Sequence, residues 1–364
     1  MAAQWPSRNG RRAILGAAAG LLLAAALLTQ LRSDGSAQPQ MQYFITSVDT
    51  MKESKDTARA PLTDAQIRAT IRGADALHAD YVAVATDWDY TTEYLRRWVA
   101  AARGEGKRVW FRVHPAQWEN DYGVTGVMSP PDYLAALDAF IAANPNLFRP
   151  GDIFDPCPEP ENGKYWQARY GRGWDSATAR TPATDEYNRF ILDTSAVADA
   201  ALARAGVSGV TTTIRSTNGR IAFTPTVLYP ETTARLGTVT IDSFPGPASS
   251  DPAAVAGALL DEIARVRAVH GLPVVLGEFG YNAWQAVDET TQRAVLRAML
   301  DGLATVPYLR GANYWVISGD PGVGSRLYDT AVPARGRAAA GELAAFYRTK
   351  QAPPPARGTG SRSR

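Results

Sequence analysis

Between residues 43 and 348 the chain alternates eight short apolar or β-branched runs with eight amphipathic stretches of helical length. The candidate strands are 43–48 (YFITSV), 81–86 (YVAVAT), 108–113 (RVWFRV), 152–155 (DIFD), 207–214 (VSGVTTTI), 238–242 (TVTID), 273–277 (PVVLG) and 312–317 (ANYWVI). Helical patterns follow at 62–77, 91–103, 131–143, 182–204, 225–236, 251–269, 288–304 and 336–348. Capping signals open several of them (Thr63-Asp64, Ser129-Pro130-Pro131, Thr181-Pro182, Ser250-Asp251), and Gly104, Gly206 and Gly271 stand where helices end. Such alternation implies βα units and a parallel sheet. Eight units in one uninterrupted series close into an α/β fold of the (β/α)8 TIM-barrel type, a single domain that typically needs about 250 residues. An open doubly wound sheet would show a glycine-rich phosphate turn after its first strand, and Val48-Asp49-Thr50-Met51 is not one.

The two ends read differently. Arg8, Arg11 and Arg12 precede an uncharged apolar stretch, and Gly35-Ser36-Ala37 offers small residues for cleavage. Residues 1–37 are therefore expected to be a secretory signal peptide or an uncleaved N-terminal membrane anchor, which places the chain outside the cytoplasm: secreted, periplasmic, or tethered to the outer face of the cytoplasmic membrane. Residues 351–364 (QAPPPARGTGSRSR) read as a disordered tail. The formal charge is +2, but residues 38–350 alone hold 31 bases and 35 acids, a net of −4. The expected barrel is thus mildly acidic, with no basic patch for nucleic acid, and is expected to be a monomer. Cys157 is the only cysteine, which excludes a disulfide scaffold and a cysteine-rich zinc site.

In a barrel of this type the active site lies where the strands' C-terminal ends meet the βα loops. The residues leaving the strands include Asp49, Trp88, Arg112, His114, Glu159, Glu161, Asn162, Asp242, Glu278, Tyr281, Asn313 and Trp315. Long loops after the third and fourth strands carry Trp118, Tyr122, Tyr165, Trp166, Tyr170 and Trp174. Aromatic faces of this kind suit a carbohydrate cleft. Two runs dominate: Pro156-Cys157-Pro158-Glu159-Pro160-Glu161-Asn162-Gly163 after the fourth strand, and Gly277-Glu278-Phe279-Gly280 at the seventh. Glycoside hydrolysis needs two carboxyl groups flanking the scissile bond, one protonated and one ionised.

With Glu159-Pro160 after strand four, Glu278 after strand seven and Trp315 at strand eight, the chain resembles the clan A, cellulase-like, retaining glycoside hydrolases. That resemblance implies a glycosidase in which Glu278 is the nucleophile and Glu159 the acid/base, with Trp315 at the end of strand eight. By their places at the strand ends, Asp49, Trp88, Arg112, His114, Glu161, Asn162, Asp242, Tyr281 and Trp315 are the candidates to bind or orient the sugar. The chain departs from the pattern in two places. Pro158 stands where many members carry Asn before the acid/base, which leaves Glu161 open as the acid/base. Phe244 stands where many carry a nucleophile-orienting Tyr, which passes that role to Tyr281 or Arg112. A divergent family follows, with a non-catalytic polysaccharide-binding barrel as the alternative.

Other barrel chemistries fit less well. No lysine lies within a candidate strand to form a Schiff base, and His78 and His270 precede strands, at the end away from the βα loops. His114 alone among the histidines faces the right end for a metal hydrolase, so no metal and no cofactor is expected.

Overall fold

The computed structural model describes residues 43–89, 92–245, 249–282, 285–329 and 335–351. The expected signal or anchor and nearly all of the expected tail therefore lie outside the described residues. Among those described, no helix is long and apolar enough to cross a membrane.

Seven parallel strands form one curled sheet: β1 (Ile45–Asp49), β2 (Tyr81–Val84), β3 (Arg108–Arg112), β4 (Ile153–Asp155), β5 (Val239–Ser243), β6 (Val274–Phe279) and β7 (Leu309–Tyr314), in the order β4-β3-β2-β1-β7-β6-β5. Among the described residues nine helices have at least seven residues: a loop helix at Lys164–Tyr170, and eight that pack outside the sheet, α1 (Asp64–Ala76), α2 (Thr92–Gly104), α3 (Pro130–Ala143), α4 (Pro182–Arg204), α5 (Pro230–Leu236), α6 (Pro252–His270), α7 (Glu289–Ala304) and α8 (Ala338–Lys350). The strands are buried on both faces, as a parallel sheet sheathed by helices must be. This is the (β/α)8 architecture read from the alternation.

One expected strand is replaced. In place of a regular strand at 207–214, an irregular segment joins the two sheet edges, bridging Ile153 through Thr211 and Asp242 through Asn218. Its backbone is held partly by side chains: Ser216 N donates to Asp155 Oδ2 at 2.8 Å, and Ser195 Oγ donates to the Thr212 carbonyl at 3.1 Å. Gly209, at φ +73°, sets the chain off line just before it. The last strand also begins and ends three residues early, so Trp315 follows β7 instead of lying within it.

Candidate active site

The local geometry of β6 decides where Glu278 points. Leu276 pairs with Ile241 and Glu278 with Asp242, so Gly277 is an extra residue against β5, and the register against β7 shifts at the same place. A bulge of this kind re-aims the side chain beside it. The Gly277 carbonyl, displaced from the ladder, accepts from Asn313 Nδ2 at 2.8 Å. A methyl group at Gly277 would strike Asp242 Oδ1 and Ser216 Oγ. We expect Gly277→Ala to cost about 1–3 kcal/mol, since the carboxylate in the way is pinned and cannot swing aside. The urea midpoint and kcat measured together check this; a variant equal to the parent in both would show that the close approach is dispensable.

The pinning group is Arg112, the last residue of β3, which is buried in the barrel mouth. Its Nη1 donates to Asp49 Oδ2 at 2.9 Å and also to Glu278 Oε1, and its Nη2 donates to Asp242 Oδ2 at 3.3 Å. Asn313 Nδ2 donates to the same Asp49 oxygen at 3.0 Å, while Met51 N donates to Asp49 Oδ1 at 2.7 Å. One guanidinium thus serves three carboxylates from β1, β5 and β6, a task for Arg's planar five-donor fork. Burial raises the Glu278 carboxyl above its ordinary range, and Arg112 opposes that rise. Burial also raises Asp242, again against Arg112 and reinforced by Glu278.

The two candidate acids of the fourth loop are distinguished by their partners. Glu161 is held on both oxygens: Tyr187 Oη donates to Oε2 at 3.0 Å and Asn218 N to Oε1 at 2.6 Å. Its carboxyl is pushed up to about 7, chiefly by burial. Among the described residues nothing donates to the Glu159 carboxylate. Glu159 sits at φ +43°, ψ +59°, a left-handed backbone conformation that non-glycine residues adopt at a cost of roughly 1–2 kcal/mol. Its amide donates to the Ser216 carbonyl at 3.0 Å, tying the turn to the irregular fifth segment. Burial lifts the Glu159 carboxyl well above the usual range, and the charges of Glu278, Glu161 and Glu119 lift it further. The Glu278 charge thus favours the proton on Glu159, while the Arg112 hydrogen bond favours the ionised form of Glu278.

Trp315 follows β7 and is tied to the end of β6. Its amide donates to the Phe279 carbonyl at 2.9 Å, its ring meets Phe244 edge-on at 5.4 Å, and Lys52 Nζ stands 5.7 Å from the ring centroid. The Trp315–Val316 peptide is cis. Gly280 is small because a Cβ there would lie 2.6 Å from the Trp315 carbonyl. The structure thus brings together Asp49, Arg112, Glu159, Asp242 and Glu278, with Trp315 joined to the end of β6 next to Glu278.

Other expected site residues lie elsewhere. Trp88 is core: it stacks on Phe140 at 4.9 Å and meets Tyr133 at 5.6 Å. β2 ends four residues before it, so its ring turns towards α3 and away from the mouth. Tyr281 is buried and donates to the Ser249 carbonyl at 3.2 Å, so Arg112 and not Tyr281 contacts Glu278. Trp118 and Trp166 are buried too. Trp118 stacks on Phe190 of α4 at 5.0 Å, and Trp166 meets Trp118 at 6.1 Å. Most of the loop aromatics thus bind the long loops to α4 and do not line a cleft. Asn162 is exposed on the turn after Glu159, and its side chain reaches Glu119.

His114 belongs to a second polar cluster that the sequence reading did not assemble. Its Nδ1 donates to the Pro115 carbonyl at 3.1 Å, leaving Nε2 to accept from Lys55 Nζ at 3.2 Å. Lys55 also pairs with Asp121 at 2.9 Å, Glu119 at 3.8 Å and Asp87 at 4.0 Å. Burial and the Lys55 charge push His114 down to about 3, so it is neutral. Burial likewise pushes Asp87 up to about 8. Asp87, His114 and Asp121 bring ligand-type atoms within 4.8 Å of one another, a grouping wider than the lone histidine expected. The Lys55 ammonium supplies the cluster's positive charge. Lys55 follows the helical turn Met51–Ser54, and its carboxylate partners come from loops far away in sequence, so spacing could not reveal it.

No known family model matches the chain, and no curated protein matches it in sequence. Solved structures do resemble it in fold. A β-glucuronidase from an uncultured Clostridium sp. superposes with a TM-score of 0.57 at 14% identity, over 84% of this chain and 50% of that one. The Bifidobacterium dentium β-glucuronidase complexed with coumarin-3-O-glucuronide gives 0.58 at 15%, over 84% and 46%. The β-D-glucuronidase of Dictyoglomus thermophilum gives 0.58 at 13%, over 84% and 50%. The chain spans about half the length of these solved structures, and the likeness establishes the (β/α)8 fold that it shares with glycoside hydrolases.

Proposed function

We propose that the chain is an exported glycoside hydrolase of the clan A type, cleaving O-glycosidic bonds of an oligosaccharide or polysaccharide with retention. One observation carries the reading. Two carboxyl groups from β6 and the fourth loop interact across the mouth, one hydrogen-bonded to a buried arginine and one with no donor among the described residues. That asymmetry is what a nucleophile and an acid/base require. The neighbouring fold of three β-glucuronidases and the basic-then-apolar N-terminus support the hydrolase and export parts respectively.

In this mechanism Glu278 attacks the anomeric carbon while Glu159 gives its proton to the leaving oxygen. Glu159, now ionised, takes a proton from water as that water displaces Glu278. Arg112 keeps Glu278 ionised and aimed. Asp49 and Asp242 hold Arg112 in plane, and Glu161, already bound to Tyr187 and Asn218, steadies the loop. Trp315 faces the sugar, while His114 stays neutral within the Lys55 cluster.

Activity on a panel of aryl β-glycosides that includes glucosides and glucuronides tests the reading. kcat/KM should follow a bell, with its acid limb set by Glu278 and its alkaline limb by Glu159, the latter displaced upward from the ordinary carboxylate range because the folded site favours its protonated form. Glu159→Gln should remove that alkaline limb. It should cost about 10²–10⁴-fold on alkyl or sugar leaving groups and far less on dinitrophenyl, which leaves without protonation. An equal loss on every leaving group would rule Glu159 out as the acid. A chain that binds glycans yet hydrolyses none would be a binding protein.

A further inference from the structure

A small cavity adjoins the candidate acid/base loop. Its volume is ≈260 Å³, just below the ~300–1,000 Å³ of pockets that enclose drug-sized ligands. It suits one sugar ring rather than a chain. Glu161, Lys164, Gln167, Arg172, Trp174 and Asp175 line it. The turn Pro160–Asn162 leads from Glu159 directly into its wall. The group that accepts the Glu159 proton is the leaving oxygen, so a cavity on this side lies on the leaving-group side of the scissile bond.

The lining carries two cations and two carboxylates, but both carboxylates are already engaged. Asp175 is already paired with Arg220, which approaches from outside the lining. Glu161 is committed on both oxygens to Tyr187 and Asn218. Lys164 and Arg172 are exposed, and among the described residues neither is in an ion pair. Trp174, packed against Trp166 and Tyr187 at 5.4 and 5.0 Å, gives a rigid aromatic wall, and Gln167 adds a neutral donor and acceptor. One aromatic wall, one amide and two exposed cations outside any close ion pair, Lys164 near enough to Glu119 to lower its carboxyl, make a surface for a sugar ring that carries an anion.

We propose that this cavity is a leaving-group-side subsite for an acidic sugar residue, held by Lys164 and Arg172 against Trp174. The inference rests on the hydrolase reading for its place beside Glu159, and it narrows the substrate to an acidic oligosaccharide or polysaccharide. Carboxylate and sulfate present the same anionic chemistry, so the test separates them.

Binding is measured by calorimetry at low salt on the full-length chain carrying Glu278→Gln, with cellotetraose, tetragalacturonate and a sulfated carrageenan tetrasaccharide as probes. At least one acidic probe should bind ten-fold or more tightly than cellotetraose, and which one does so identifies the anion. Adding Lys164→Gln and Arg172→Gln should remove that preference, while Lys164→Arg with Arg172→Lys should keep it. Both positions are exposed, and circular dichroism verifies that the variants fold. Equal binding of all three probes, binding of none, or a preference that survives the double Gln substitution would overturn the subsite. The hydrolase reading fails separately. A wild-type chain that prefers acidic probes but cleaves no glycoside keeps the subsite and loses the hydrolase, whereas cleavage without acidic preference does the reverse.

Discussion

Replacing Glu278 by Gln will lower kcat by at least about 10³-fold while leaving glycan affinity within a few-fold of wild type, because a covalent route lost with its nucleophile is not restored by binding. Gln keeps the shape of Glu and can still accept from Arg112, so the mouth keeps its packing. It cannot form the glycosyl intermediate. The substitution also removes a negative charge that holds the Glu159 proton, so the Glu159 carboxyl should fall towards its ordinary range. Hydrolysis and calorimetry on the same preparation separate the two effects. Hydrolysis within ten-fold of wild type would remove Glu278 from the chemistry.

The second large effect is expected at Arg112. Its guanidinium is the shared counter-ion of Asp49, Asp242 and Glu278, all of them buried. Arg112→Leu removes one positive charge and leaves three carboxyl groups without it. Breaking a buried pair in this way costs about 3–5 kcal/mol. Part of that cost is escaped by protonation, so the variant should regain stability as pH falls through the now-raised carboxyl pKa values and lose it as pH rises. Urea midpoints at pH 5 and pH 8 test the sign. Arg112→Lys, which keeps the charge but not the fork, should fold. It should still lose at least about 10²-fold in kcat, since an ångström of misplacement at a reacting carboxylate is enough. An Arg112→Leu chain as stable as wild type at pH 8 and active within two-fold would contradict the role given to this layer.

Much of this was legible before any coordinates. The alternation of apolar runs and amphipathic stretches marked each regular strand and long helix to within a few residues, because buried parallel strands and sheathing helices leave different periodicities. Positions at strand ends then pointed to Asp49, Arg112, Asp242 and Glu278 on chemistry alone. Three things were not legible. The fifth segment is not a regular strand, because the Asp155 carboxylate and the Ser195 hydroxyl take up backbone groups of the segment in place of ladder partners, and a Thr-rich run reads as strand either way. The facing of the aromatics was also hidden: Trp88, Trp118 and Trp166 sit on βα loops, yet each ring turns to the helices, and loops carry no periodicity to say so. Finally, Glu159 and Glu161 are alike in sequence, and the partners that separate them, Tyr187 and Asn218 on Glu161 and the Glu278 charge beside Glu159, come from distant elements. The Lys55 cluster escaped for the same reason.

The measurement that bears most directly on the central claim is the intact mass of the wild-type chain after incubation with 2-deoxy-2-fluoro-β-glycosyl fluorides of glucose, galactose and glucuronic acid. The fluorine slows hydrolysis of a covalent glycosyl-enzyme, so a double displacement leaves it trapped. The account predicts a gain of one fluoroglycosyl mass per chain with a fluoride whose sugar the enzyme accepts, located on Glu278 by peptide mapping and absent from Glu278→Gln. A label on any other carboxylate, or no label from a fluoride whose parent glycoside the wild type hydrolyses, would contradict it.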